Sequence, residues 1–454
     1  MTPRRGPALA LGAAVALGLA VLVLSGRLGG AHRASPPATL ALGGPAGPAI
    51  TVGRHPIGLS VEYPLLARDL GSGRCPPGAL VHTLLELGSP TIRIGGDSQD
   101  AAAPAGTPPR PGVTALPRGF WSRLACLERE IRVPIVVGLN LASGNSAWAA
   151  ALAASARAAV PAARLSFELG NEPDIYGHPV PWWNGHALVT SAMPWSTYLR
   201  RARAVDALLG AGTVIEGPDF ASGRWVRRVP LLVSTLRLRT LDAHFYPLDA
   251  CRDPAMATTA ALLSRTLQTK IDERVRLVRD ARAAGLPAVI SETNSVSCGG
   301  VAGISDQPAS AVWAVRMILR ALRAGFSSVR FHASGSVYDP FVVGAGVVGT
   351  RPLYLGLRLA ASLLSPGTLL QAIPNARLLD GVALTRPGGE RTVLLSNYKA
   401  SSRSITIAAP GRVSVMELRA GAPSVRTSEA AALRGRERVE LAPNSVAAIT
   451  ISAS

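Results

Sequence analysis

Two glutamates in this sequence sit in polar clusters that end otherwise apolar runs. Glu172 lies in Gly170-Asn171-Glu172-Pro173-Asp174 and Glu292 in Ser291-Glu292-Thr293-Asn294-Ser295, while a third run passes through His244-Phe245-Tyr246-Pro247. Two carboxyls brought together from separate segments can cleave a glycosidic bond, one protonating the departing oxygen while the other attacks or activates water. Tyr246 is a candidate to donate its hydroxyl to Glu292 and hold it ionised, and Asn171 to hydrogen-bond a sugar 2-hydroxyl. The competing roles are structural. Either glutamate can serve as a charge at the start of the helix that follows it, and His244 and Tyr246 can be core residues whose polar atoms are satisfied by backbone. Arg93 fits two roles equally, pairing with a carboxylate inside the fold or supporting the site.

These residues need a scaffold that brings strand ends together. Eight short apolar runs read as buried strands: 57–63, 91–96, 134–140, 165–170, 213–219, 241–248, 288–293 and 328–333. Helical segments fall between them, including 78–88, 148–160, 196–209, 269–285 and 310–325. Strands separated by helices imply parallel crossovers, and eight such units predict an α/β fold, a (β/α)8 TIM barrel spanning 55–366, with an open doubly wound sheet as the competing topology. In a barrel the ends of strands four, six and seven converge on one face, where catalytic groups sit. From about Leu369 the pattern changes to short alternating segments with turns between them, which predicts a C-terminal antiparallel β-sandwich domain over 367–454. Residues 39–54 are expected to add a strand to it.

The composition narrows the partners. Net charge is +19 on a 454-residue chain, but the basic residues are scattered and almost all Arg, with Lys270 and Lys399 the only lysines. A nucleic-acid binder concentrates such charge on one face, so no nucleic-acid partner is expected; attraction to acidic polysaccharide remains open. The seven histidines are dispersed and no C-x-x-C or H-E-x-x-H motif occurs, so neither a metal nor another cofactor is predicted. Gly344, Gly346 and Gly349 match a dinucleotide fingerprint by letter, but Pro352 follows and no acidic residue lies about 20 positions on, so the segment reads as a flexible loop after the eighth strand.

Residues 1–38 read as a signal peptide or membrane anchor with a linker: Arg4 and Arg5 precede a charge-free run from Gly6 to Gly26. The expected location is therefore outside the cytoplasm: secreted, periplasmic or anchored to the outer face of the cytoplasmic membrane. The four cysteines suit an oxidising compartment. Cys251 follows the strand bearing Tyr246 and Cys298 comes soon after Glu292, so these two are expected to bridge neighbouring loops at one rim. Cys75 and Cys126 have no such argument and are left as candidates for free thiols. Trp182 and Trp183, in a Pro-rich loop after strand four, can stack on sugar rings or staple that loop to the barrel.

Taken with IGLSVEYP, RIGGDSQD, SETNSVSCGG and FHASGSVYDP, the Asn-Glu-Pro and His-x-Tyr clusters resemble glycoside hydrolase family 79, which contains β-glucuronidases and heparanase-like enzymes, over nearly all the chain from Ile57. The resemblance implies a clan A barrel and retention of configuration, with Glu172 as acid/base, Glu292 as nucleophile and Asn171 beside the 2-hydroxyl. It also implies Glu62, Asn294 and Tyr338 as contacts of a uronic acid, and a glycan or aryl glucuronide as substrate. The sequence departs from the family pattern at Asp97, where Asn is expected, and in the Phe331–Gly335 run. Those loops line the sugar pocket, so the sugar and its methylation stay open. The alternatives are a clan A glycosidase for a neutral sugar and a non-catalytic cell-surface carbohydrate-binding protein.

Overall fold

The eight apolar runs form one parallel sheet in the computed structural model, which describes residues 38–41, 46–108, 111–177, 192–344, 346–373, 380–408, 411–433 and 436–452. In chain order its strands are β1 (Ile57–Val61), β2 (Thr91–Ile94), β3 (Ile135–Leu139), β4 (Leu165–Leu169), β5 (Ile215–Glu216), β6 (Leu241–His244), β7 (Ala288–Thr293) and β8 (Phe326–Ala333). They pair in the order β6-β7-β8-β1-β2-β3-β4-β5. Every residue of β1 to β7 is buried, as expected of strands covered on both faces.

The barrel closes beyond the end of β5. The sequence suggested a strand over 213–219, but Pro218 has no N–H to donate and Asp219 turns the chain at φ 54°. The remaining gap is bridged by Asp242 N–H to the Gly217 carbonyl and His244 N–H to the Phe220 carbonyl, each 3.0 Å. Closure thus brings His244 into register with the mouth.

Helices cover the barrel, among them Gly78–Glu86, Ser146–Ala159, Trp195–Leu209 and Pro308–Ala324. The last is buried along most of its length and carries Arg316 into the contact with the C-terminal strands. Arg316 donates to the carbonyls of Leu263, Asn397 and Ser445 and lies over the Tyr398 ring, so it ties the barrel to those strands without a carboxylate partner.

The C-terminal part has two sheets. Seven strands pair antiparallel in the order 46–51, 369–372, 380–385, 391–397, 445–452, 411–419 and 425–433; strands 38–41, 403–408 and 436–441 form the second sheet, with 38–41 parallel to its neighbour. A small apolar cluster joins them, with Ile405 and Leu441 meeting Val393, Leu395, Val413, Ala447 and Ile449. The strands 425–433 and 436–441 were not legible in the sequence, because charged and small residues interrupt their alternation.

Two expectations are corrected. Cys75 and Cys126 are not free thiols: they form a disulfide, with Cα atoms 5.4 Å apart, that ties the loop before helix 78–86 to helix Phe120–Ile131. Spacing could not reveal this, because the helices adjoin only once wrapped on the barrel. The Gly344–Gly349 segment is an antiparallel hairpin of Phe341–Gly344 and Val347–Thr350, whose cross-strand pairing replaces the expected loop. The N-terminal signal or anchor and Trp182 and Trp183 lie outside the described residues. Among the described residues no helix is long and apolar enough to cross a membrane.

A peptide map without reductant is expected to show Cys75 linked to Cys126 and Cys251 linked to Cys298. Replacing Cys75 and Cys126 by serine should lower stability by about 2–4 kcal/mol in a denaturant titration; detection of a free thiol at Cys75 would refute the assignment.

Candidate active site

The mouth of the barrel at the C-terminal ends of the strands opens into a cavity of about 550 Å3. Glu172, Glu292, Glu62, Asp97, His244, Tyr246 and Tyr338 all line it, together with His332 and Ser334. One ligand oxygen of Glu172, one of Glu292 and a ring nitrogen of His244 lie within 4.8 Å of one another. The two glutamates, 120 positions apart in the chain, therefore face each other across one small space.

Glu172 reaches this position through an unusual backbone. It lies in the left-handed region at φ 51°, ψ 46°, which a residue with a side chain adopts only when its surroundings demand it. Those surroundings are two buried aspartates. Asp100 accepts from the backbone N–H groups of Leu141, Ala142 and Asn171 and from the Tyr176 hydroxyl. Asp174 accepts from the N–H groups of Ala221 and Ser222 and the Ser222 hydroxyl, tying the turn after β4 to the loop after β5. Gly170 is required in the same turn: at φ 83°, a Cβ there would lie 2.8 Å from the Tyr176 hydroxyl and 2.9 Å from Leu141 Cβ.

Glu292 is held by donors on every side. Its Oε2 accepts from Arg93 Nη1 at 2.8 Å and from Ser60 Oγ at 3.3 Å, with His332 Nδ1 also 3.3 Å away. Its Oε1 accepts from the Tyr246 hydroxyl at 2.8 Å, the contact expected from the sequence. Burial would push Glu292 up, but the charges of His332, His244 and Arg93 outweigh it and, with the Tyr246 hydrogen bond, hold it down at about 2.

His244 lines the cavity. Its Nδ1 is 2.7 Å from Glu172 Oε1 and its Nε2 3.5 Å from Asp219. Burial alone would lower it, yet Glu292, Asp219 and Glu172 raise it to about 10, so the ring is charged at neutral pH. Asp97 is pushed up, first by burial and then by Glu62, Glu172 and Glu292. Arg93 is fully buried and binds Glu168 Oε2 at 2.6 Å, Glu292 Oε2 at 2.8 Å, Ser60 Oγ at 2.8 Å and Asn171 Oδ1 at 3.1 Å, so its carboxylate partners include one glutamate that lines the cavity.

Not every expected residue reaches the cavity. Asn171 is buried and does not line the cavity, its side chain accepting from Arg93 and donating to Asp97 Oδ1 at 3.3 Å. Asn294 is fully buried and spends its side chain on backbone, donating to the carbonyls of His332 and Tyr338 and accepting from Ser295 N–H. It braces the loop after β8 and does not line the cavity. Glu62 does line it, with its carboxylate accepting from the N–H groups of Asp97 and Ser98.

His332 was missed. It lies in the FHASGSVYDP stretch, expected to line the sugar pocket but with no role given to the histidine, and only the closure of β8 on β1 turns its ring to the cavity beside Glu62. The outer end of the cavity is bounded by the Cys251–Cys298 disulfide, Arg252 and Arg274.

Among the described residues two groups of ligand atoms are close enough for a metal ion: Glu172 with His244 and Glu292, and Glu168 with Glu216 and Asp242. In the first, His244 Nδ1 lies 2.7 Å from Glu172 Oε1, the distance of a direct hydrogen bond between the two. In the second, the Arg330 guanidinium lies against all three carboxylates and supplies the positive charge.

No family model matches the chain. It is similar to β-glucuronidases of Neurospora crassa (22% identity over 357 residues, 68% of this chain and 63% of the relative) and Aspergillus niger (23% over 358 residues, 69% and 65%). The chain spans a little under two thirds of the length of these curated relatives. Among solved structures, a 4-O-α-L-rhamnosyl-β-D-glucuronidase of Fusarium oxysporum superposes with TM-score 0.69 at 20% identity, covering 91% of this chain and 100% of that one. A family 51 arabinofuranosidase of Xanthomonas axonopodis pv. citri gives TM-score 0.65 at 14% identity, covering 91% and 99%. The chain thus shares with these structures the fold of an eight-stranded parallel barrel with accompanying β-sheets.

Two outcomes test the electrostatics. Arg93→Met should cost about 3–5 kcal/mol in urea unfolding, because it strands buried carboxylates; a loss below about 1 kcal/mol would show that they do not depend on it. His244, raised to about 10 in the folded protein, stabilises fully below its unfolded value of about 6.5, and that stabilisation is lost as pH rises through about 10. The stability gap between wild type and His244→Gln should therefore narrow from pH 6 to pH 10, whereas a constant gap would refute the charge state.

Proposed function

We propose that this chain, a family 79-like member of clan A in sequence and fold, is an exported, exo-acting retaining β-glucuronidase or 4-O-methyl-glucuronidase. The observation that carries the proposal is the approach of the Glu172 and Glu292 oxygens to within 4.8 Å. Retaining pairs stand about 5–5.5 Å apart, whereas inverting pairs leave about 6.5–9.5 Å for a water. The two carboxyls also have different surroundings, the usual basis for dividing acid and nucleophile roles. Glu292, ringed by Arg93, His332, Ser60 and Tyr246, is the permanently ionised partner and so the nucleophile. Glu172, bonded to His244 and partly open to the cavity, is the acid/base.

In the first step Glu292 bonds to the anomeric carbon as its bond to the leaving oxygen breaks and Glu172 gives that oxygen its proton. In the second, water gives its proton to Glu172 and attacks the same carbon, and the electron pair of the ester bond returns to Glu292. Uronic acid as the sugar rests on the resemblance to family 79 and to the fungal β-glucuronidases. Tyr338 and Ser334, which line the cavity after β8, and Glu62 across from them are the groups available to select it. The two disulfides fit a protein that works outside the cytoplasm.

Nitrophenyl β-glucuronide should be hydrolysed with net retention. Glu172→Ala and Glu292→Ala should each lose at least about 100-fold in kcat, and azide should rescue the first variant, giving a β-glucuronyl azide. Full activity in either variant would overturn the assignment. In a panel of nitrophenyl glycosides, turnover of a neutral sugar but not the glucuronide would favour the neutral-sugar alternative, and no turnover at all a binding protein.

A further inference from the structure

His332 stands between two carboxylates that would otherwise repel. Its Nδ1 is 3.3 Å from Glu292 Oε2 and its Nε2 is 3.4 Å from Glu62 Oε1, and the side chain is almost fully buried against the cavity wall. The position leaves no slack. Gly96, at φ 81°, packs so closely that a Cβ there would run into the Glu62 carboxylate and lie 2.8 Å from His332 Cε1. Ser60 Oγ sits 3.2 Å from the same Nδ1.

The two oxygens of Glu292 are not equivalent in this arrangement. Oε2 accepts from Arg93 and Ser60 and lies 3.3 Å from His332 Nδ1, whose own hydrogen-bond contact is Ser60 Oγ, whereas Oε1 has one hydrogen bond, from Tyr246, and lies 3.9 Å from His244 Nδ1, the atom bonded to Glu172. A carboxylate attacks with the oxygen that keeps a free lone pair toward the substrate, which is Oε1. Oε2 then becomes the carbonyl oxygen of the ester and keeps its donors.

We propose that His332 is a positioning residue for both half-reactions: it holds Oε2 of Glu292 from the β8 side, and when Oε1 is bonded to the sugar the imidazolium keeps Glu62, 3.4 Å from its Nε2, as its ion-pair partner. The inference rests on the retaining reading above. Bond formation at Oε1 removes the negative charge of Glu292, so His332 holds its proton less tightly in the glycosyl-enzyme than in the free enzyme. The charge must be kept for the second step, because it stabilises the carboxylate that reforms as water displaces Oε1. The groups that face His332 are Glu62 from the end of β1, Arg93 from β2, Asp97 from the turn after β2, Glu292 from β7, and Tyr338 and Asp339 from the loop after β8. Of these, only Glu292 changes charge on forming the ester. In the free protein Glu292 and Glu62 overcome burial and raise His332 to about 9.

Two measurements test this, and the first needs no substrate. Imidazole NMR titrations, with His332 assigned by its loss in His332→Gln, are compared for wild type and Glu292→Gln, a neutral isostere with the charge of the ester. The His332 midpoint should fall by about one unit or more in Glu292→Gln, and likewise in Glu62→Gln. An ordinary midpoint near 6.5 in wild type, or no fall in Glu292→Gln, overturns the proposal whatever the sugar. The second is the pH profile of kcat with a dinitrophenyl glucuronide, whose good leaving group makes deglycosylation limiting. Glu172 acts there as a base and contributes an acidic limb, so the alkaline limb reports another group. It should lie below that of kcat/KM in wild type and vanish in His332→Gln, with kcat falling more than KM. An unchanged alkaline limb in His332→Gln overturns the proposal, whereas absence of glucuronide turnover in wild type, with the NMR shift intact, defeats the glucuronidase reading alone.

Discussion

The site depends on one buried cation. Arg93 points inward from β2 with no solvent exposure and divides its guanidinium among Glu168, Glu292, Ser60 and Asn171. An unpaired guanidinium in a barrel interior would be prohibitively costly, so its partners are constrained as strictly as it is. That constraint couples four strands. Ser60 stands on β1, Glu168 on β4, Asn171 at the turn that carries Glu172, and Glu292 on β7, so the two carboxyls proposed for chemistry share a reference point in the core.

Beneath this layer lies another of the same kind. Arg330 on β8 meets Glu168, Glu216 and Asp242, from β4, β5 and β6, and Glu168 joins the two layers by binding both arginines. Most TIM barrels fill this space with branched apolar side chains. Here, charge pairs with fixed directions replace them, which costs desolvation but specifies geometry. In a site where a carboxylate must stay ionised while buried, surrounding cations are the means of keeping it so. Arg93, His244 and His332 provide that field around Glu292.

The mouth is stiffened from outside the barrel as well. Asp100 and Asp174 gather backbone N–H groups from neighbouring turns, and the Cys251–Cys298 bridge ties the loop after β6 to the loop after β7. Each exchanges loop entropy for position. They explain how Glu172 is held at a left-handed backbone angle and how Glu292 stays within 4.8 Å of it.

Much of this was legible in the chain alone. Continuous apolar runs of strand length, spaced by helical segments, identify a parallel sheet covered on both faces; whether that sheet closes into a barrel or stays open is decided by the pairing of β8 with β1. Polar clusters at the ends of those runs mark the mouth, which is how Glu172, Glu292, His244 and Tyr246 were found. Other relations depend on the closing of the barrel. His332 differs from any buried strand histidine only once β8 lies beside β1, and Asn294 looks like a site residue until its amide is seen to serve two carbonyls. Cys75 pairs with Cys126 because two helices wrap onto adjacent strands. Local pattern reports what a side chain can do and which way its strand is buried. The partner it meets is decided by distances between segments remote in sequence, and those distances exist only when the sheet has closed on itself.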